Sequence, residues 1–568
     1  MYQKISSLQI VLTMLISFFD GYSQGVTTSS ISGKIVDKDG NSIYPANIVA
    51  IHTPSGTMYG AISQSDGYFT MLNMRIGGPY TVTISYVGYQ TFIHENVFLK
   101  LNQATKVDAT LVQGSNTLEE IIITDDEDAL FDPDRKGAST NIGQKQIITM
   151  PTIKRSQKDL TRLTPQSDGN SFGGRNNLYN NFSVDGSIFN NSFGLDFATP
   201  GGQTDAQPVS LDAIEQIQVS LTPFDVRQGG FTGAGVNAVT KSGTNTFLSS
   251  VYFYTKNEKL IGKKVGSTES PNNDFSDNQF GFTIGGPIIK NKLFFFISGE
   301  TEKRTELAHG WIADNGENTG QANVTSVLES DLIKIQTRLR DYWDYNPGAF
   351  QGYNHKKSNN KVLAKLTWNI SKTQSFSIRY NMLDAWKDDL PHPEAVIGRG
   401  PTSYRMPFEN SSYRIFNKIH SVMGEWTSTY NNRWSNKLLA GYTSFRDTRD
   451  PKSTPFPVVD IFDAHGNLAI TFGSEMFSTK NVINQDVYQF TNDLSYITNK
   501  HIITGGITIE RFYFENCFNL FYYPWDTFNS VDDFLHNKKI GDPNYNPDVD
   551  IDFNQQVIES GSKPFHWS

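Results

Sequence analysis

The stretch of sequence that decides the fold is a glycine-rich bend followed by a short strand, Phe224-Asp-Val-Arg-Gln-Gly-Gly-Phe-Thr-Gly-Ala-Gly-Val-Asn-Ala-Val-Thr-Lys-Ser-Gly243. Glycine allows the backbone to turn tightly and to pack closely against its surroundings. A phosphate-binding loop is also rich in glycine, but it requires a Gly-Lys-Ser/Thr sequence, which does not follow here. Because the surrounding pattern is strand, turn and strand, the stretch indicates a closely packed β structure.

Two segments before this bend extend the pattern. Leu211–Ser220 predicts a short helical start that leads into a strand, and Arg175–Gly186 predicts a strand that ends in an Asp-Gly turn. Together with the bend, they resemble the plug domain of TonB-dependent outer-membrane receptors, in which the last plug strand closes on Thr-Lys-x-Gly. The resemblance implies an α+β plug domain over residues 137–245, packed inside the lumen of a β-barrel.

From Phe247 onward the sequence alternates between apolar and polar residues. In the run 361–370, Val362, Leu366 and Trp368 fall on one face, while Lys361 and Lys365 fall on the other. The runs 375–382 and 488–496 repeat this period of two. Lipid outside and a polar lumen inside require such alternation, and a bilayer tolerates no open strand edge, so membrane strands must close into a barrel. A soluble sandwich also alternates, and it is the export signal and the plug-like segments that favour the barrel.

One predicted hairpin, Gln279–Ile288 and Lys292–Glu300 joined at Lys290-Asn291, is similar to Oar-like (OmpA-related) TonB-dependent receptors. The insertions 301–360 and 447–485 are predicted to be extracellular loops. Five residues of the first insertion fall on one helical face, which predicts a loop helix that packs on its own loop. They are Val324, Leu328, Leu332, Ile335 and Leu339.

The N-terminus predicts export. Lys4 precedes an apolar run from Ile10 to Phe19, and a small-x-small pattern ends at Ser23, so residues 1–23 are interpreted as a signal peptide. The single Cys517 has no second thiol for a disulfide or a metal site. No apolar run of about 20 residues exists for a transmembrane helix. The net charge of −9 is mild for 568 residues and argues against nucleic-acid binding.

Residues 30–113 predict a small β-sandwich. The predicted strands are Ile31–Val36, Asn47–His52, Tyr68–Leu72, Tyr80–Val87 and Val107–Leu111. Ser65–Phe69 and Tyr86–Tyr89 resemble the carboxypeptidase regulatory-like domain that often precedes Bacteroidetes receptors. A zinc carboxypeptidase site needs a Glu three positions after a His, and none of the ten His residues has a Glu at that position. We therefore interpret the domain as an interaction or spacer module.

The linker 114–136 carries one candidate contact site. An exposed run of Ile residues is available for addition of a strand from a partner. The run resembles the TonB box, which adds a strand to the periplasmic protein TonB, whereas an ordinary strand is the alternative. The predicted TonB contacts are Glu119, Glu120, Ile121, Ile122, Ile123 and Thr124.

No catalytic, metal or cofactor site is predicted. Ser and His residues occur without a nucleophile turn. The acidic run Asp542–Asp552 lacks the fixed Gly and terminal Glu of an EF-hand, so we interpret it as a solvated loop. The sequence thus predicts a protein that is not an enzyme.

The predicted fold class is dominated by β structure: an N-terminal β-sandwich, an α+β plug domain, and an incomplete antiparallel transmembrane β-barrel over residues 246–568. We expect nine or ten strands after the plug, whereas barrels of this family have about 22. The sequence therefore predicts a fragment, a truncated product or half of a split receptor, which would not insert by itself.

The resemblance implies energised transport of an unidentified ligand across the outer membrane. The expected partners are TonB, outer-membrane lipid, the ligand and a SusD-like lipoprotein, with no nucleic acid. The alternative is a surface adhesion or assembly protein that imports nothing.

Overall fold

The computed structural model describes residues 26–114, 121–124, 139–168, 171–190, 202–223, 225–262, 264–266, 268–269, 274–317, 321–393, 397–498 and 501–561. The predicted signal peptide 1–23 lies outside the described residues, as do Phe224, Glu119 and Glu120. No helix in the described ranges is long and apolar enough to span a bilayer.

The N-terminal unit is a sandwich of two sheets, named here the sandwich (residues 29–111). One sheet has the order β4-β1-β7, with β8 also paired to β1, and the other has the order β3-β2-β5-β6-β9. The strands are β1 (Ser29–Asp37), β2 (Asn47–His52), β3 (Thr57–Ile62), β4 (Tyr68–Met74), β5 (Gly77–Ser85), β6 (Phe92–Leu99), β7 (Ala104–Lys106), β8 (Ala109–Leu111) and β9 (Ile121–Thr124). Alternate residues of both sheets, such as Ile31, Phe69 and Ile84, form a common apolar core.

The predicted strands of the sandwich are confirmed in part. β2 has the predicted bounds, and β1, β4 and β5 overlap their predicted runs. The predicted strand Val107–Leu111 is wrong in its bounds, because the chain leaves the sheet between β7 and β8. β3 and β6 were not predicted, since Gly60 and the polar run His94-Glu95-Asn96 interrupt their alternation.

The next unit, named here the plug (residues 139–243), contains one five-stranded sheet with the order β10-β13-β14-β11-β12. Its elements are β10 (Ser139–Gly143), α1 (Gln144–Thr149), α2 (Gln157–Thr161), β11 (Asn181–Val184), β12 (Ser187–Ile188), β13 (Ile214–Ser220) and β14 (Gly235–Thr240), with 3-10 turns at Asn177–Tyr179, Gly202–Thr204 and Leu211–Ala213. The helical start before β13 and the Asp-Gly turn after β11 are confirmed.

The largest sheet, named here the barrel sheet, has nine antiparallel strands in simple sequential order. They are β15 (Leu248–Asn257), β18 (Phe275–Ile289), β19 (Leu293–Leu307), β22 (Asn354–Asn369), β23 (Gln374–Asp389), β25 (Tyr413–Tyr430), β26 (Trp434–Pro451), β29 (Asn481–Ile497) and β30 (Ile502–Cys517). The predicted hairpin is confirmed as β18 and β19. Within the described residues β15 and β30 remain open edges, so the barrel is incomplete, as predicted.

The two faces of the barrel sheet are inverted relative to a soluble protein. On the outer face Val362, Leu366 and Trp368 are exposed, whereas Lys361 and Arg379 on the inner face are 6% and 2% exposed. Apolar side chains outside and polar side chains inside suit a sheet between lipid and a lumen. The predicted alternation is therefore confirmed.

Aromatic pairs mark both ends of the outer apolar band. Trp434 and Tyr496 lie with ring centroids 4.4 Å apart beside a short turn, and Tyr442 and Tyr488 lie 4.9 Å apart eight positions further along β26. Eight residues rise about 27 Å along a strand, or about 20 Å along the normal at a tilt of about 40°. This height agrees with the apolar band of an outer-membrane barrel.

The connections differ in length on the two ends of the barrel sheet. Three short turns, 290–292, 370–373 and 431–433, lie on one end, and long connections such as 308–353 and 452–480 lie on the other. Short turns face the periplasm in outer-membrane barrels. The predicted loop bounds 301–360 and 447–485 are too wide, because β19, β22, β26 and β29 extend into them.

The long connections fold together into one unit, named here the outer cap (residues 308–353, 390–412, 452–480 and 518–561). Its sheet has the order β24-β28-β27-β31. The elements of the connections are β16 (Lys264–Val265), β17 (Thr268–Glu269), β20 (Ile312–Asp314), β21 (Val324–Leu328), α3 (Glu329–Trp343), β24 (Met406–Pro407), β27 (Val458–Phe462), β28 (Leu468–Phe472), β31 (Trp525–Phe528), α4 (Val531–His536) and α5 (Phe553–Gly561), with 3-10 turns at Glu258–Leu260 and Glu409–Ser411.

The predicted loop helix is corrected by α3. The helix begins at Glu329, so Val324 and Leu328 lie in β21, and Leu328 is 48% exposed. α3 packs against other connections as well as its own, because Trp343 contacts Phe553 with ring centroids 4.6 Å apart. The sequence pattern of one loop could not reveal partners that lie in distant loops.

Candidate functional site at the plug, the lumen and the coupling segment

The Asp-Gly turn of the plug is fixed from inside the plug itself. Asp185 and Gly186 follow β11 with φ angles of +45° and +80°, a conformation that Asp and Gly tolerate. The Asp185 carboxylate accepts hydrogen bonds from the Thr240 amide (2.9 Å) and from the Thr240 hydroxyl (2.5 Å). The end of β14, which the sequence places at the close of the plug, therefore positions this carboxylate.

Two cations of the barrel sheet hold the same turn. Lys365 and Arg379 are cross-strand neighbours on β22 and β23. Their charged nitrogens lie 3.4 and 3.6 Å from the Asp185 carboxylate. Arg379 also donates to the Val184 carbonyl (2.6 Å) and to Ser187 Oγ (2.6 Å).

Opposing effects act on the pKa of Asp185. Burial alone would raise the pKa, but the charges of Lys365 and Arg379 and the hydrogen bonds from Thr240 lower it below its ordinary value. The carboxylate is therefore ionised at neutral pH, and the plug turn is held in the lumen as one anion between two cations.

A second polar contact joins the plug to the barrel sheet. Glu300 of β19 accepts hydrogen bonds from Ser210 Oγ of the plug (2.8 Å) and from Tyr252 Oη of β15 (2.7 Å). Lys361 of β22 forms an ion pair with the same carboxylate. Charges buried in this way are stable only while they remain paired, so the contact helps to fix the position of the plug.

Apolar packing also joins the plug to the barrel sheet, whose inner face contributes seven residues to the buried apolar cluster of the plug. They are Phe296, Leu363, Leu383, Ala385, Ile419, Phe445 and Val487. Phe189 packs edge-on against Phe445 of β26 with ring centroids 6.3 Å apart. The Ile188 amide donates to Gln489 Oε1 of β29 (3.1 Å), and Asn381 Nδ2 of β23 donates to the Pro208 carbonyl (3.1 Å). The plug therefore lies against the inner face of the barrel sheet across several strands.

The sandwich is attached to the plug through amide side chains. Gln216 of β13 donates from Nε2 to the Leu99 carbonyl (3.0 Å) and accepts at Oε1 from the Leu101 amide (2.9 Å). Gln218 Nε2 donates to the Leu101 carbonyl (2.9 Å). Both glutamines are buried, and Leu101 packs against Val239 of β14. Because a buried polar group costs free energy when it loses its partner, this interface is specific.

The sandwich also contacts the short-turn end of the barrel sheet, through isolated hydrogen bonds. Asn369 Nδ2 donates to Thr57 Oγ1 (2.9 Å), and Asn73 Nδ2 donates to Ser435 Oγ (2.8 Å). Between these contacts lies a polar cavity of about 90 Å³, whose lining includes Arg75 and Glu425. Charged walls make such a cavity a place for water.

The predicted TonB-contact residues are only partly described. Glu119 and Glu120 lie outside the described residues, whereas Ile121, Ile122, Ile123 and Thr124 form β9. β9 pairs in parallel with β6, with Ile121 opposite Phe92 and Thr124 opposite Glu95. The segment Ile121–Thr124, named here the coupling segment, is thus extended at a sheet edge. This segment is the edge strand of one sandwich sheet, and it lies apart from the lumen contacts of Asp185 and Glu300.

Within the described ranges, no three His, Cys, Asp or Glu side chains form a group that could bind a metal ion. Carboxylates of the acidic run Asp542–Asp552 accept hydrogen bonds from other residues of the outer cap. Asp542 accepts from Tyr342 Oη (2.7 Å), and Asp552 accepts from the Ile540 amide (2.7 Å). These carboxylates stabilise the outer cap.

Sequence reasoning placed Lys361, Lys365 and Arg379 on the polar face of their strands but assigned them no partner. Asp185 is 180 positions from Lys365, so no local pattern connects the two. Glu300, Gln216 and Gln218 were not singled out. The sequence feature that could have identified these residues is a polar side chain within a strand whose other inward-facing residues are apolar.

Comparison with known families agrees with this arrangement. The model of the outer membrane beta barrel domain matches residues 239–540, which is more than half of the chain, and the carboxypeptidase regulatory-like domain matches residues 30–112. Among curated relatives, the TonB-dependent transporter Oar of Myxococcus xanthus is 25% identical over 376 residues, which cover 62% of this chain and 33% of that protein. The chain thus spans about a third of the length of that relative.

Further similarities are shorter or more distant. The probable TonB-dependent siderophore receptor PirA of Acinetobacter baumannii is 32% identical over 124 residues, 21% of this chain and 15% of that protein. Among solved structures, the outer membrane transporter YddB of Escherichia coli matches with a TM-score of 0.46 at 14% identity, covering 69% of this chain and 50% of that one. The chain belongs to the outer membrane β-barrel domain family, and its N-terminal residues 30–112 form a carboxypeptidase regulatory-like domain.

Proposed function

We propose that the chain carries the plug, the coupling segment and the first barrel strands of a receptor that imports an external ligand with energy delivered by TonB. The observation that carries this proposal is the plug turn at Asp185, held on the inner face of the barrel sheet by Lys365 and Arg379. A plug fastened in this way obstructs the lumen until its contacts are broken. The names of the relatives, a TonB-dependent transporter and a siderophore receptor, support the same activity.

The chemistry of the plug contacts suits reversible release. A hydrogen bond inside a protein is worth little more than the same bond to water, so a carboxylate such as Glu300 can exchange Ser210 for water once the plug moves. An apolar interface of similar size would resist separation because it exposes apolar surface. The polar contacts of the plug can therefore be replaced by hydration when TonB pulls, whereas the apolar cluster that the plug shares with the barrel sheet resists separation.

Energy enters at the coupling segment. Glu119, Glu120 and Ile121–Thr124 are the proposed TonB contact, because an extended segment at a sheet edge offers unpaired backbone groups to a partner strand. The outer cap and the plug tip receive the ligand, the outer apolar band contacts membrane lipid, and a SusD-like lipoprotein is a further proposed partner at the outer face. Specificity lies in these outer loops.

Deletion of Glu119–Thr124 tests the TonB contact. The parent protein is here the complete receptor, in which further strands close the barrel. It is expected to retain the purified periplasmic domain of TonB in a pull-down, and the deletion variant is expected to lose it while the barrel remains in the outer membrane. Deletion of Ser167–Asn170, a polar stretch of the plug sequence, serves as the control. Equal retention of TonB by the parent protein and the Glu119–Thr124 deletion would contradict the assignment of these residues as the TonB contact.

The second candidate is a surface adhesion or assembly protein without import. The outer cap favours it, because loops with their own apolar core, including Trp343, Phe472 and Phe553, present a fixed surface to the exterior. This candidate predicts no retention of the TonB domain by the parent protein. The same pull-down therefore separates the two functions.

A further inference from the structure

We propose that the sandwich transmits the pull of TonB to the plug. A strand of TonB adds to the open edge of β9, β9 is held by β6, and the end of β6 is attached to the plug through Gln216 and Gln218. This inference rests on the proposed role of the coupling segment. It goes further by giving the N-terminal domain a mechanical task and by naming the plug residues that receive the load.

The position of β9 permits this addition. β9 is the last strand in the order β3-β2-β5-β6-β9, so β6 satisfies only one of its two edges among the described residues. Successive residues of a strand direct their backbone groups to opposite sides. A partner strand can therefore pair with the free edge of the coupling segment without displacing β6, and would extend the sheet of the sandwich by one strand.

One continuous strand joins the coupling segment to the plug contact. β6 pairs with β9 along Phe92–Glu95, and its last residue, Leu99, accepts the hydrogen bond from Gln216. Leu101, two positions later, is held by both Gln216 and Gln218. A pull on β9 therefore passes along the covalent backbone of β6 and reaches β13 in the middle of the plug sheet.

The sandwich is held less firmly by the barrel sheet than by the plug. The plug contact combines three hydrogen bonds from two buried glutamines with apolar packing of Leu101. The contacts of Thr57 and Asn73 with the short-turn end are single hydrogen bonds between side chains that are only partly buried. Under load the sandwich should separate from the barrel sheet first and carry the plug with it.

The covalent route from β9 to β10 is the competing path. It consists of 14 residues, from Asp125 to Ala138. A segment of that length spans up to about 50 Å when extended. The two routes respond oppositely to mutation: lengthening the covalent segment weakens only the covalent route, and removing the glutamine contacts weakens only the route through the sandwich.

The assay is labelling of a plug cysteine in living cells. Ser183 is buried in β11, so a Ser183→Cys variant in a Cys517→Ser background reports opening of the plug by its rate of maleimide labelling, with and without an uncoupler. The double variant Gln216→Ala/Gln218→Ala is expected to lower the energised increase to roughly a tenth, because buried polar groups lose their partners. The exposed plug residue in Gln166→Ala provides the matched control. A flexible Gly/Ser insertion of about ten residues after Asp128 should leave the increase unchanged.

A reversible disulfide between the sandwich and the barrel sheet, named here the lock, provides a second test that does not depend on the folding of the double variant. Thr57→Cys/Asn369→Cys joins the sandwich to the barrel sheet where the native side chains are 2.9 Å apart. The oxidised lock should abolish the energised increase in labelling at position 183, which is measured on the isolated peptide because the reduced lock thiols also react with maleimide. Reduction of the lock, with the reductant removed before labelling, should restore the increase. Loss of the increase by the Gly/Ser insertion, with full activity of the oxidised lock, would overturn the proposal in favour of the covalent route. Failure of the parent protein to retain the periplasmic domain of TonB would instead refute the proposed function.

Discussion

The core of the sandwich and the interface between the plug and the barrel sheet are both buried, but only the interface combines apolar packing with paired charges. The sandwich buries Ile31, Phe69 and Ile84 among other apolar residues of its two sheets. The plug and the barrel sheet share a buried apolar cluster, and they also meet around the paired charges of Asp185 and Arg379 and those of Glu300 and Lys361. Apolar burial stabilises in proportion to area and has no substitute in water, whereas paired polar groups can exchange their partners for water.

This difference indicates that the sandwich stays folded, whereas the plug separates from the barrel sheet. The sandwich should remain folded while it moves, as a unit that transmits force must. The plug contacts should hold position until a partner pulls, and the paired charges are the part of the interface whose partners water can replace. Substitutions in either region test this contrast between the apolar core of the sandwich and the paired charges of the plug.

Phe69→Ala should destabilise the sandwich by about 3–5 kcal/mol, because it leaves a cavity in a closely packed apolar core. Hydrogen exchange of the β1 and β4 amides measures the effect, and the plug amides should be unaffected. Tyr68→Ala, at an exposed neighbouring position, is the control and should cost less than about 1 kcal/mol. An equal loss in both variants would show that the sandwich does not depend on its apolar core.

Asp185→Ala should loosen the plug by about 3 kcal/mol, since it leaves the Arg379 charge buried without a carboxylate. Faster hydrogen exchange at β11 and β14, with unchanged exchange in the sandwich, is the expected result. Asp168→Ala removes an exposed carboxylate of the same plug and is the control. The double variant Asp185→Ala/Arg379→Met should recover part of the loss, and a cost equal to the sum of the single variants would contradict a paired interaction.

Acidification should affect the sandwich before it affects the plug turn. Burial, with a smaller effect of the Arg75 charge, lowers the pKa of His52 from 6.5 to about 2. Its stabilising contribution is complete above pH 6.5 and is lost as the pH falls, because protons bind the unfolded state first. At pH 5 the sandwich should be weaker by about 2 kcal/mol.

The pKa of Asp185 is also lowered, but from 3.8, so its contribution is lost only below that pH. Protection of backbone amides, taken relative to the intrinsic exchange rate at each pH, should therefore fall from pH 8 to pH 5 in β2 and β5 and remain constant around Asp185. His52→Gln should remove the pH dependence of the sandwich between these values. An equal fall in protection at both sites would contradict the difference in titration.

Ser210→Ala should have the smallest effect, about 1 kcal/mol. The variant removes one neutral donor from Glu300, which keeps Tyr252 and Lys361. A slight increase of exchange near the 3-10 turn Leu211–Ala213 is expected. A loss as large as that of Asp185→Ala would mean that this contact, rather than the Asp185 turn, fixes the plug.

Much of the fold was predictable because its signals are local. Period-two alternation in β22, β23 and β29 follows from the geometry of a strand, and the Asp-Gly turn after β11 follows from the tolerance of both residues for positive φ. β6 escaped prediction because Asn96, with φ of +59°, interrupts its alternation. The outer cap escaped because its core joins residues as distant as Trp343 and Phe553.

The candidate site was predictable only in its parts. The polar face of β22 and β23 contains Lys365 and Arg379, yet their partner Asp185 lies in another domain of the sequence. Gln216 and Gln218 form hydrogen bonds with the backbone of Leu99 and Leu101. Because the sandwich contributes only peptide groups to these bonds, no side chain of the sandwich indicates them in the sequence. Contacts of this kind are specified by the assembled fold.

The claim that TonB releases the plug is tested most directly by labelling Ser183→Cys, in the Cys517→Ser background, in energised and uncoupled cells. The labelling rate should rise when the cells are energised, fall to the resting rate with the uncoupler, and remain at that rate after deletion of Glu119–Thr124. A labelling rate that is the same in energised and uncoupled cells, in a protein that retains the periplasmic domain of TonB, would contradict release of the plug by TonB.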